Sequence, residues 1–298
     1  MLKKIFYFCD RDGHYIFQVL GLIQISIKHK CNFKYVEATE YGLTKEKRNP
    51  QLIVSLTTFP ARINTVHLTI NTLLRQSFKP DKLILWLADS QFPAKEDELP
   101  ENLLKLRELG LEIKWTADIK SYKKLIPALK EFPEDIIVTV DDDLYYEEKC
   151  LEKLYNAYEK DKNNIYVHRV ARIMFDGQNL KYYSQRESIF LDFPKPSYAN
   201  SIFGGSGCLY PPHSLHPDVF DIEKARKLTY NADDYWFWAM SVLGGTKISE
   251  VSGSKSNLQI IEGTVESSMY KNGPQLDYNE IFSNLTEEYN QILKRIME

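Results

Sequence analysis

The chain has 298 residues, 43% of them hydrophobic and 13% aromatic, with 38 Lys and Arg against 41 Asp and Glu. A chain of this length and hydrophobic content can bury a sizeable core, and its net charge is only −3, so the composition excludes an intrinsically disordered protein. The near-neutral charge also argues against a general nucleic-acid binder, which carries a strongly basic domain.

The first 50 residues form a basic leader ahead of an acidic body. They contain nine Lys or Arg and five Asp or Glu, a charge of +4, whereas residues 51–298 carry −7. The apolar stretch 15–27 includes polar residues and is too short to cross a bilayer, so no secretion signal or membrane-spanning segment is expected. We expect residues 1–50 to pack on the fold as an extension. The alternative is peripheral contact with an anionic membrane surface through the lysines of the leader.

The four cysteines lie far apart in the sequence. Cys9, Cys31, Cys150 and Cys208 include no CxxC pair, which argues against a zinc ribbon and a redox motif. Reduced thiols of this kind are typical of cytoplasmic proteins. We therefore expect a cytoplasmic protein, at the inner face of the membrane if the leader binds lipid.

From residue 51 the sequence alternates short apolar runs with helical patterns. The runs predict strands at 52–56, 82–87, 111–115 and 136–140, and the patterns predict helices at 64–74, 101–109 and 121–131. This alternation indicates βαβ units and hence an α/β fold with a parallel, doubly wound sheet. The second half is less regular, with strands predicted near 165–168, 172–175 and 202–210 and helices at 232–243 and 286–297.

The ends of these strands are where chemistry is expected, because open α/β sheets bind ligands outside the carboxyl ends of their strands. Asp89 follows the second strand, Asp118 follows the third, and three consecutive aspartates follow the fourth. Three of the four strand ends therefore carry a carboxylate.

The aspartate triplet, residues 141–143, is the sharpest signal in the sequence. Side chains alternate along an extended chain, so Asp141 and Asp143 are expected to point into one site while Asp142 points elsewhere. Two carboxylates on one side repel each other, and a divalent metal that bridges a diphosphate relieves this repulsion. The alternative is that the acids solvate a turn or cap the next helix. The polar ends of the preceding strands favour the metal site.

Four segments together carry a family resemblance. They are VSLTTFPAR at 54–62, IVTVDDD at 137–143, GGSG at 204–207 with the following CLYPP, and ADDYW at 232–236. In order and spacing they resemble nucleotide-sugar glycosyltransferases of GT-A fold, in particular family-2-like bacterial enzymes that build surface polysaccharide. The resemblance spans residues 52–250. It implies a Rossmann-like, mostly parallel sheet flanked by helices, with a nucleotide-binding half at 51–145 and an acceptor half at 146–298.

The resemblance also implies roles for the aspartates of the triplet, which correspond to the DxD element of these enzymes. Asp141 would contact the ribose or the metal, and Asp143 would be the main ligand of Mn²⁺ or Mg²⁺. Asp142 is grouped with Asp141 as a contact of the nucleotide. The donor implied is a UDP-sugar.

Other polar residues near the strand ends are candidates for holding the nucleotide. Thr57 and Arg62 lie where a uracil base and its diphosphate would approach the first strand. Asp89 could accept a hydrogen bond from a base or ribose group. Lys124 is the preferred phosphate contact among three lysines at the start of the third helix, and a solvated helix face is the alternative for all three.

Asp233 and Asp234 begin a helix whose other residues are unusually apolar. The helix dipole alone explains acidic residues there. In the inverting enzymes that the chain resembles, however, an acidic pair at this point supplies the general base that activates the acceptor hydroxyl. Carried over, Asp234 would be the base and Asp233 a supporting group, although the two could be exchanged.

The glycine run at 204–207 lacks the P-loop and dinucleotide-binding patterns and suits a loop that approaches a sugar closely. Trp236 and Trp238 could stack on sugar faces, although core packing is the commoner role of such residues.

These observations predict a metal-dependent glycosyltransferase that moves a sugar from a UDP-sugar to a hydroxyl of a glycan or lipid-linked acceptor. Its charge predicts no binding to nucleic acid. Inversion at the sugar and a role in surface polysaccharide synthesis are expected. One alternative is a sugar nucleotidyltransferase, although the glycine-rich basic loop of that class is missing after the first strand. Another is a catalytically silent glycan-binding or assembly subunit of the same fold.

Overall fold

The computed structural model describes residues 6–11, 14–19, 23–28, 34–176, 179–182, 195–251, 259–267 and 276–297. The strands are β1 (Phe6–Arg11), β2 (His14–Val19), β3 (Ile23–Lys28), β4 (Leu52–Thr57), β5 (Lys82–Ala88), β6 (Leu111–Thr116), β7 (Ile136–Thr139), β8 (Leu144–Tyr145), β9 (Asn164–Val167), β10 (Val170–Asp176), β11 (Asn179–Tyr182), β12 (Asn200–Ile202), β13 (Cys208–Tyr210), β14 (Lys247–Glu250) and β15 (Gln259–Ile260). The α-helices are α1 (Val66–Leu74), α2 (Glu101–Leu104), α3 (Ile126–Glu131), α4 (Cys150–Lys160), α5 (Ile222–Thr229), α6 (Asp233–Gly244), α7 (Tyr278–Glu288) and α8 (Gln291–Ile296).

A seven-stranded sheet in the order β14-β9-β13-β7-β4-β5-β6 lies at the centre of the fold. β4 pairs in parallel with β5 and β7, β5 with β6, and β9 with β14, whereas β13 runs antiparallel to both of its neighbours. The central strands are buried along almost their whole length and consist mostly of apolar residues, because helices cover both faces of the sheet. The predicted α/β fold with a mostly parallel sheet is confirmed.

Consecutive residues of β4 alternate between two hydrophobic cores, since the side chains of a strand point to opposite faces. Ile53 packs in the core that contains α6, and Val54 packs in the core that contains α1. Trp236 and Trp238 of α6 are fully buried in the first core. Their rings therefore belong to the core, and the suggestion that they stack on a sugar is wrong.

The first two corrections to the sequence-based elements have local causes. The helix predicted at 121–131 is a 3-10 helix, Lys120–Lys124, followed by the short α3, whose second residue is Pro127. A proline has no N–H to continue a preceding helix, so α3 begins anew there. The strand predicted at 202–210 is interrupted by the glycine run, in which Gly207 has a φ of +96°.

The C-terminal end of the chain also differs from expectation. The helix predicted at 286–297 is the pair α7 and α8, and α7 begins earlier because the Asp277 carboxylate caps its first turn by accepting from the Asn279 N–H. In the basic leader, β1, β2 and β3 form an antiparallel sheet. The packing of residues 1–50 on the fold stays a prediction. In the described part of the chain, no helix has the length and hydropathy needed to span a bilayer.

Ser55 connects the sheet to the segment that carries the candidate site. It is fully buried in β4, and its hydroxyl accepts from the Trp86 indole N–H at 3.0 Å and donates to the Lys124 carbonyl at 2.6 Å. One side chain therefore joins β4, β5 and the end of the 3-10 helix at Lys120–Lys124.

We expect Ser55→Ala to lower the free energy of unfolding by about 1–3 kcal/mol, because it leaves two buried polar groups without a partner. Urea unfolding measures this loss. Ser77→Ala is the matched control, since the exposed Ser77 hydroxyl also lies within hydrogen-bond distance of two groups, the Glu148 carbonyl and the Glu152 carboxylate. A loss in Ser55→Ala no larger than in the control would contradict this role of Ser55.

Candidate functional site

The candidate site is built around the buried ammonium of Lys124. Its Nζ atom lies 3.1 Å from Asp141 Oδ1, 3.0 Å from Asp233 Oδ2 and 3.6 Å from Asp234 Oδ1. Burial alone would lower the pKa of Lys124, but the three carboxylates raise it well above its usual value. One charged lysine therefore holds together the end of β7 and the start of α6.

The backbone at Lys124 is fixed to the central sheet. The carbonyl of Lys124 is held by Ser55 of β4, as described above. The neighbouring Lys123 is buried and turns instead to Asp118, 3.3 Å away. The two adjacent lysines thus form ion pairs with different carboxylates. The structure brings Lys124, the favoured residue of the three predicted, to the acidic groups.

Asp233 and Asp234 occupy the first turn of α6, where the helix dipole favours negative charge. Asp233 is buried, whereas the side chain of Asp234 is 29% exposed and accepts from the Gly204 N–H at 3.0 Å. Burial is the main cause that raises the pKa of Asp234 to about 7; Asp233 and Asp141 raise it further, while Lys124 and the Gly204 N–H oppose the rise. A carboxyl group of this kind is suited to exchanging a proton near neutral pH.

Arg62 organises the rest of the triplet. Its guanidinium pairs with Asp142 Oδ1 at 2.6 Å and with Asp143 Oδ2 at 3.0 Å, and the Thr58 hydroxyl also donates to Asp142. Strand alternation predicted that Asp142 would point away from Asp143. That expectation is wrong, because β7 ends at Thr139 and the triplet lies in the turn beyond it, where alternation no longer applies.

The same guanidinium reaches the segment that follows β15. It donates to the Thr264 carbonyl at 3.2 Å and to the Ser267 hydroxyl at 3.1 Å. Burial and the charge of Asp141 raise the pKa of Asp143 to about 6, although Arg62 opposes that rise. In the structure, Arg62 is thus an internal partner of the triplet and is itself only 8% exposed. Its predicted contact with a diphosphate stays a prediction.

The five carboxylates of the site outnumber their cations. Lys124 and Arg62 are the two positive groups in the ion pairs described above, so the formal charge of these seven side chains is −3. Like charges in a partly buried site repel one another, and this repulsion contributes to the raised pKa values of Asp143 and Asp234. The arrangement favours the binding of a further cation.

The glycine run lies directly against two carboxylates of the site, and its predicted approach to a sugar stays a prediction. A Cβ atom at Gly205 would lie 2.7 Å from Asp141 Oδ2, and one at Gly204 would overlap Asp234 Oδ1. Any side chain at either position would displace a carboxylate. Glycine at 204 and 205 therefore lets the acids keep these positions, and the positive φ at 207 favours glycine there.

Two residues predicted to bind the nucleotide have other contacts in the structure. The Thr57 hydroxyl donates to the Trp86 carbonyl at 2.8 Å, within the sheet. Asp89 lies at the end of β5 with an exposed side chain, which pairs with Lys95. Both lie at strand ends as predicted, and their contacts with a base or ribose stay predictions.

Sequence reasoning missed Tyr146 and Thr58. The buried Tyr146 hydroxyl accepts from the Asp141 N–H and donates to the Gly205 carbonyl, each at 2.8 Å. A tyrosine between the acidic triplet and Glu147 gives no sign of such contacts in the sequence. Thr58 lies in the segment TTFPAR that the sequence had singled out, but only the fold reveals that it faces Asp142.

Comparison with known proteins identifies the family of the chain. The family model described as glycosyl transferase family 2 matches residues 58–216, which is more than half of the chain. The chain belongs to this family. It is a glycosyltransferase of GT-A fold, as the sequence predicted. The matched region of this family 2 enzyme includes Arg62, Lys124, the triplet and the glycine run, and ends before Asp233.

Similar solved structures include TarS of S. aureus (residues 1–349), at 15% identity and a TM-score of 0.46, with 82% of this chain and 72% of that chain covered. They also include the mannosyltransferase PcManGT from Pyrobaculum calidifontis in complex with GDP-Man and Mn²⁺, at 12% identity and a TM-score of 0.45. GalNAc-T7 with UDP, GalNAc and Mn²⁺ matches at 13% identity and a TM-score of 0.46. The alignments cover 74% and 85% of this chain, but only 58% and 57% of the latter two proteins. A search of curated protein sequences finds no match.

We expect Lys124→Met to lower the free energy of unfolding by about 3–5 kcal/mol at pH 8, because it leaves buried carboxylates without their cation. Without the ammonium the pKa of Asp234 rises further above its unfolded value. Stability that depends on the protonated form is then lost as pH rises, so the loss should be smaller at pH 5 than at pH 8.

Urea unfolding at the two pH values measures this difference. Lys227→Met, on the exposed face of α5, is the control and should change stability by less than about 0.5 kcal/mol at both. Equal, pH-independent losses in the two variants would contradict the arrangement around Lys124.

Proposed function

We propose that this family 2 enzyme transfers a sugar from a UDP-sugar to a hydroxyl of a glycan or lipid-linked acceptor, with inversion at the sugar, in the synthesis of surface polysaccharide. The observation that carries the proposal is the ammonium of Lys124, which lies within 3.6 Å of both the triplet residue Asp141 and the acidic pair at the start of α6. The predicted nucleotide-side and acceptor-side carboxylates therefore share one site. A donor sugar bound between them would have its diphosphate on the side of Asp141 and a general base on the side of the acidic pair.

The residues of this site suit a divalent cation that arrives with the substrate. Among the described residues, no group of three or more His, Cys, Asp or Glu side chains is arranged to hold a metal ion alone. Mg²⁺ is commonly bound by one or two carboxylates together with substrate phosphates. Asp141 and Asp143 are partly exposed oxygen ligands in a site of formal charge −3, so they fit this mode of binding. When bound, Mn²⁺ or Mg²⁺ would offset the charge of the diphosphate leaving group.

Asp234 is the general base in this proposal. The acceptor hydroxyl oxygen attacks the anomeric carbon while the bond from that carbon to the diphosphate oxygen breaks, and the hydroxyl proton moves to Asp234. Lys124 and the Gly204 N–H orient the Asp234 carboxylate, and the buried Asp233 holds Lys124 in place. Attack from the side opposite the leaving diphosphate inverts the anomeric configuration.

The binding partners and the cellular location are proposed together with this function. The acceptor and donor are the expected partners, and nucleic acid is not. We expect the enzyme in the cytoplasm, with the basic leader as the region that would contact an anionic membrane. Family membership favours this reading over a sugar nucleotidyltransferase. A catalytically silent subunit of the same fold is distinguished by experiment.

A screen for donor hydrolysis tests the substrate class. We expect one or more UDP-sugars to be hydrolysed in the presence of Mn²⁺ or Mg²⁺, and the activity to be lost when the metal is removed with EDTA. The panel should include GDP- and dTDP-sugars, and the release of nucleoside diphosphate is the readout. Hydrolysis that is unaffected by EDTA would contradict metal dependence. A protein that hydrolyses no sugar nucleotide and binds no UDP in calorimetry would favour the silent subunit.

Asp234→Asn tests the base. We expect kcat for transfer to fall by about 10²- to 10⁴-fold, with UDP affinity retained, because the amide cannot accept the proton. In the wild type, kcat/KM should rise with pH through about 7, since the base must be ionised and burial raises the pKa of Asp234 to about 7.

Asp221→Asn is the matched control, because Asp221 caps α5 and asparagine caps equally well. It should leave transfer unchanged. The anomeric configuration of the product, determined by NMR, completes the test. Retained configuration would contradict the assignment of Asp234 as the base.

A further inference from the structure

Tyr146 connects the two sides of the candidate site through a single phenol group. Its hydroxyl accepts from the Asp141 N–H at 2.8 Å and donates to the Gly205 carbonyl at 2.8 Å. The side chain is buried, so these are contacts between protein groups in the interior. Burial is also the main cause that raises the pKa of Tyr146 well above its usual value, so the hydroxyl keeps the proton that it donates to Gly205.

The phenol binds the chain at the first residue beyond the pairing of β7 with β4. The hydrogen bond from the Val140 N–H to the Ser55 carbonyl, at 3.2 Å, continues the pairing of β7 with β4. Asp141 is the next residue, and its N–H bonds to Tyr146 instead of to a strand. The direction in which the Asp141 carboxylate leaves the sheet therefore depends on Tyr146.

Tyr146 is itself fixed from α1. The Tyr146 N–H donates to the Thr72 hydroxyl at 3.1 Å, and the Thr69 hydroxyl donates to the Leu144 carbonyl at 2.9 Å. Both threonines are buried. The backbone that carries the phenol is thus fixed to α1, as a residue that positions another group requires.

Through the glycine run, Tyr146 also affects the position of groups on the acceptor side of the site. Gly205, whose carbonyl Tyr146 holds, has Asp141 Oδ2 only 2.7 Å from where a Cβ atom would be. The adjacent Gly204 N–H donates to Asp234 Oδ2 at 3.0 Å. Tyr146 therefore sets the backbone of Asp141 directly and, through two successive glycines, the hydrogen-bond donor that orients Asp234.

We propose that Tyr146 is a positioning residue that sets the distance between the nucleotide-side carboxylate of Asp141 and the proposed base Asp234 by holding the Asp141 N–H and the Gly205 carbonyl on one phenol oxygen. This inference rests on the proposed function, since it assigns both carboxylates to one reaction. It gives Tyr146 a role in substrate binding and turnover without contact with the substrate.

Tyr146→Phe tests the inference, because it removes the hydroxyl and keeps the ring that packs in the core. The matched control is Tyr166→Phe in β9, where the partly buried hydroxyl of another buried tyrosine donates to a backbone carbonyl, that of Asp161, at 2.7 Å. Asp141→Asn reports on the site itself. For each variant, calorimetry measures the Kd of UDP with and without Mn²⁺, and thermal unfolding measures stability.

If Tyr146 positions Asp141, Tyr146→Phe should weaken Mn²⁺-dependent UDP binding by about tenfold and lower kcat for hydrolysis of the best UDP-sugar by about 10- to 100-fold. Tyr166→Phe should lower the unfolding temperature and leave both the Kd and kcat unchanged. A purely structural hydroxyl would change the unfolding temperature alone. Binding of UDP in the absence of Mn²⁺ should respond less to Tyr146→Phe, because that state depends less on Asp141.

Two other outcomes would overturn the inference, and they differ in what else they overturn. If Asp141→Asn weakens UDP binding and Tyr146→Phe behaves like Tyr166→Phe, the inference is wrong and the proposed function stands. If Asp141→Asn binds UDP with Mn²⁺ as the wild type does, or the wild type shows no such binding, the proposed function fails, and the positioning role of Tyr146 fails with it.

Discussion

The ammonium of Lys124, buried among three carboxylates, is the interaction on which the rest of the site depends. Asp141 comes from the end of β7, whereas Asp233 and Asp234 come from the start of α6, almost a hundred residues later. Without a cation between them, these groups would repel one another in a partly buried space. Lys124 makes their proximity stable, and its own charged state is stabilised in return.

The fold supplies the constraints that put the lysine there. Ser55 in β4 holds the Lys124 carbonyl, and the glycines at 204 and 205 leave room for the acids beside it. Arg62 performs a similar role for Asp142 and Asp143 and ties them to the Thr264 carbonyl. Two cations for five carboxylates leave an excess of negative formal charge, so a further cation would favour the approach of a nucleoside diphosphate to the triplet. The metal dependence that we propose follows from this charge balance.

Much of this arrangement could be predicted from the sequence, and particular residues explain the limit. Apolar runs that end in polar residues predicted the strands and the position of the triplet. Strands buried on both faces are near-continuous runs of apolar residues, so this pattern is easy to recognise. The glycine run signalled a close approach, which the structure explains by Asp141 and Asp234. The sharing of one ammonium by β7 and α6 could not be predicted, since it depends on the tertiary placement of α6. The orientation of Asp142 was predicted wrongly because alternation was extended past the end of β7, and the contacts of Tyr146 have no signature in the sequence.

The most direct test of the account is a crystal structure of the enzyme with UDP and Mn²⁺. The account predicts that the diphosphate and the metal lie beside Asp141 and Asp143 at the carboxyl end of β7, with Asp234 facing the space where the sugar would be attached. A nucleotide bound at another edge of the sheet, or a diphosphate separated from Asp234 by the body of the protein, would contradict the claim that the two groups of carboxylates form one active site.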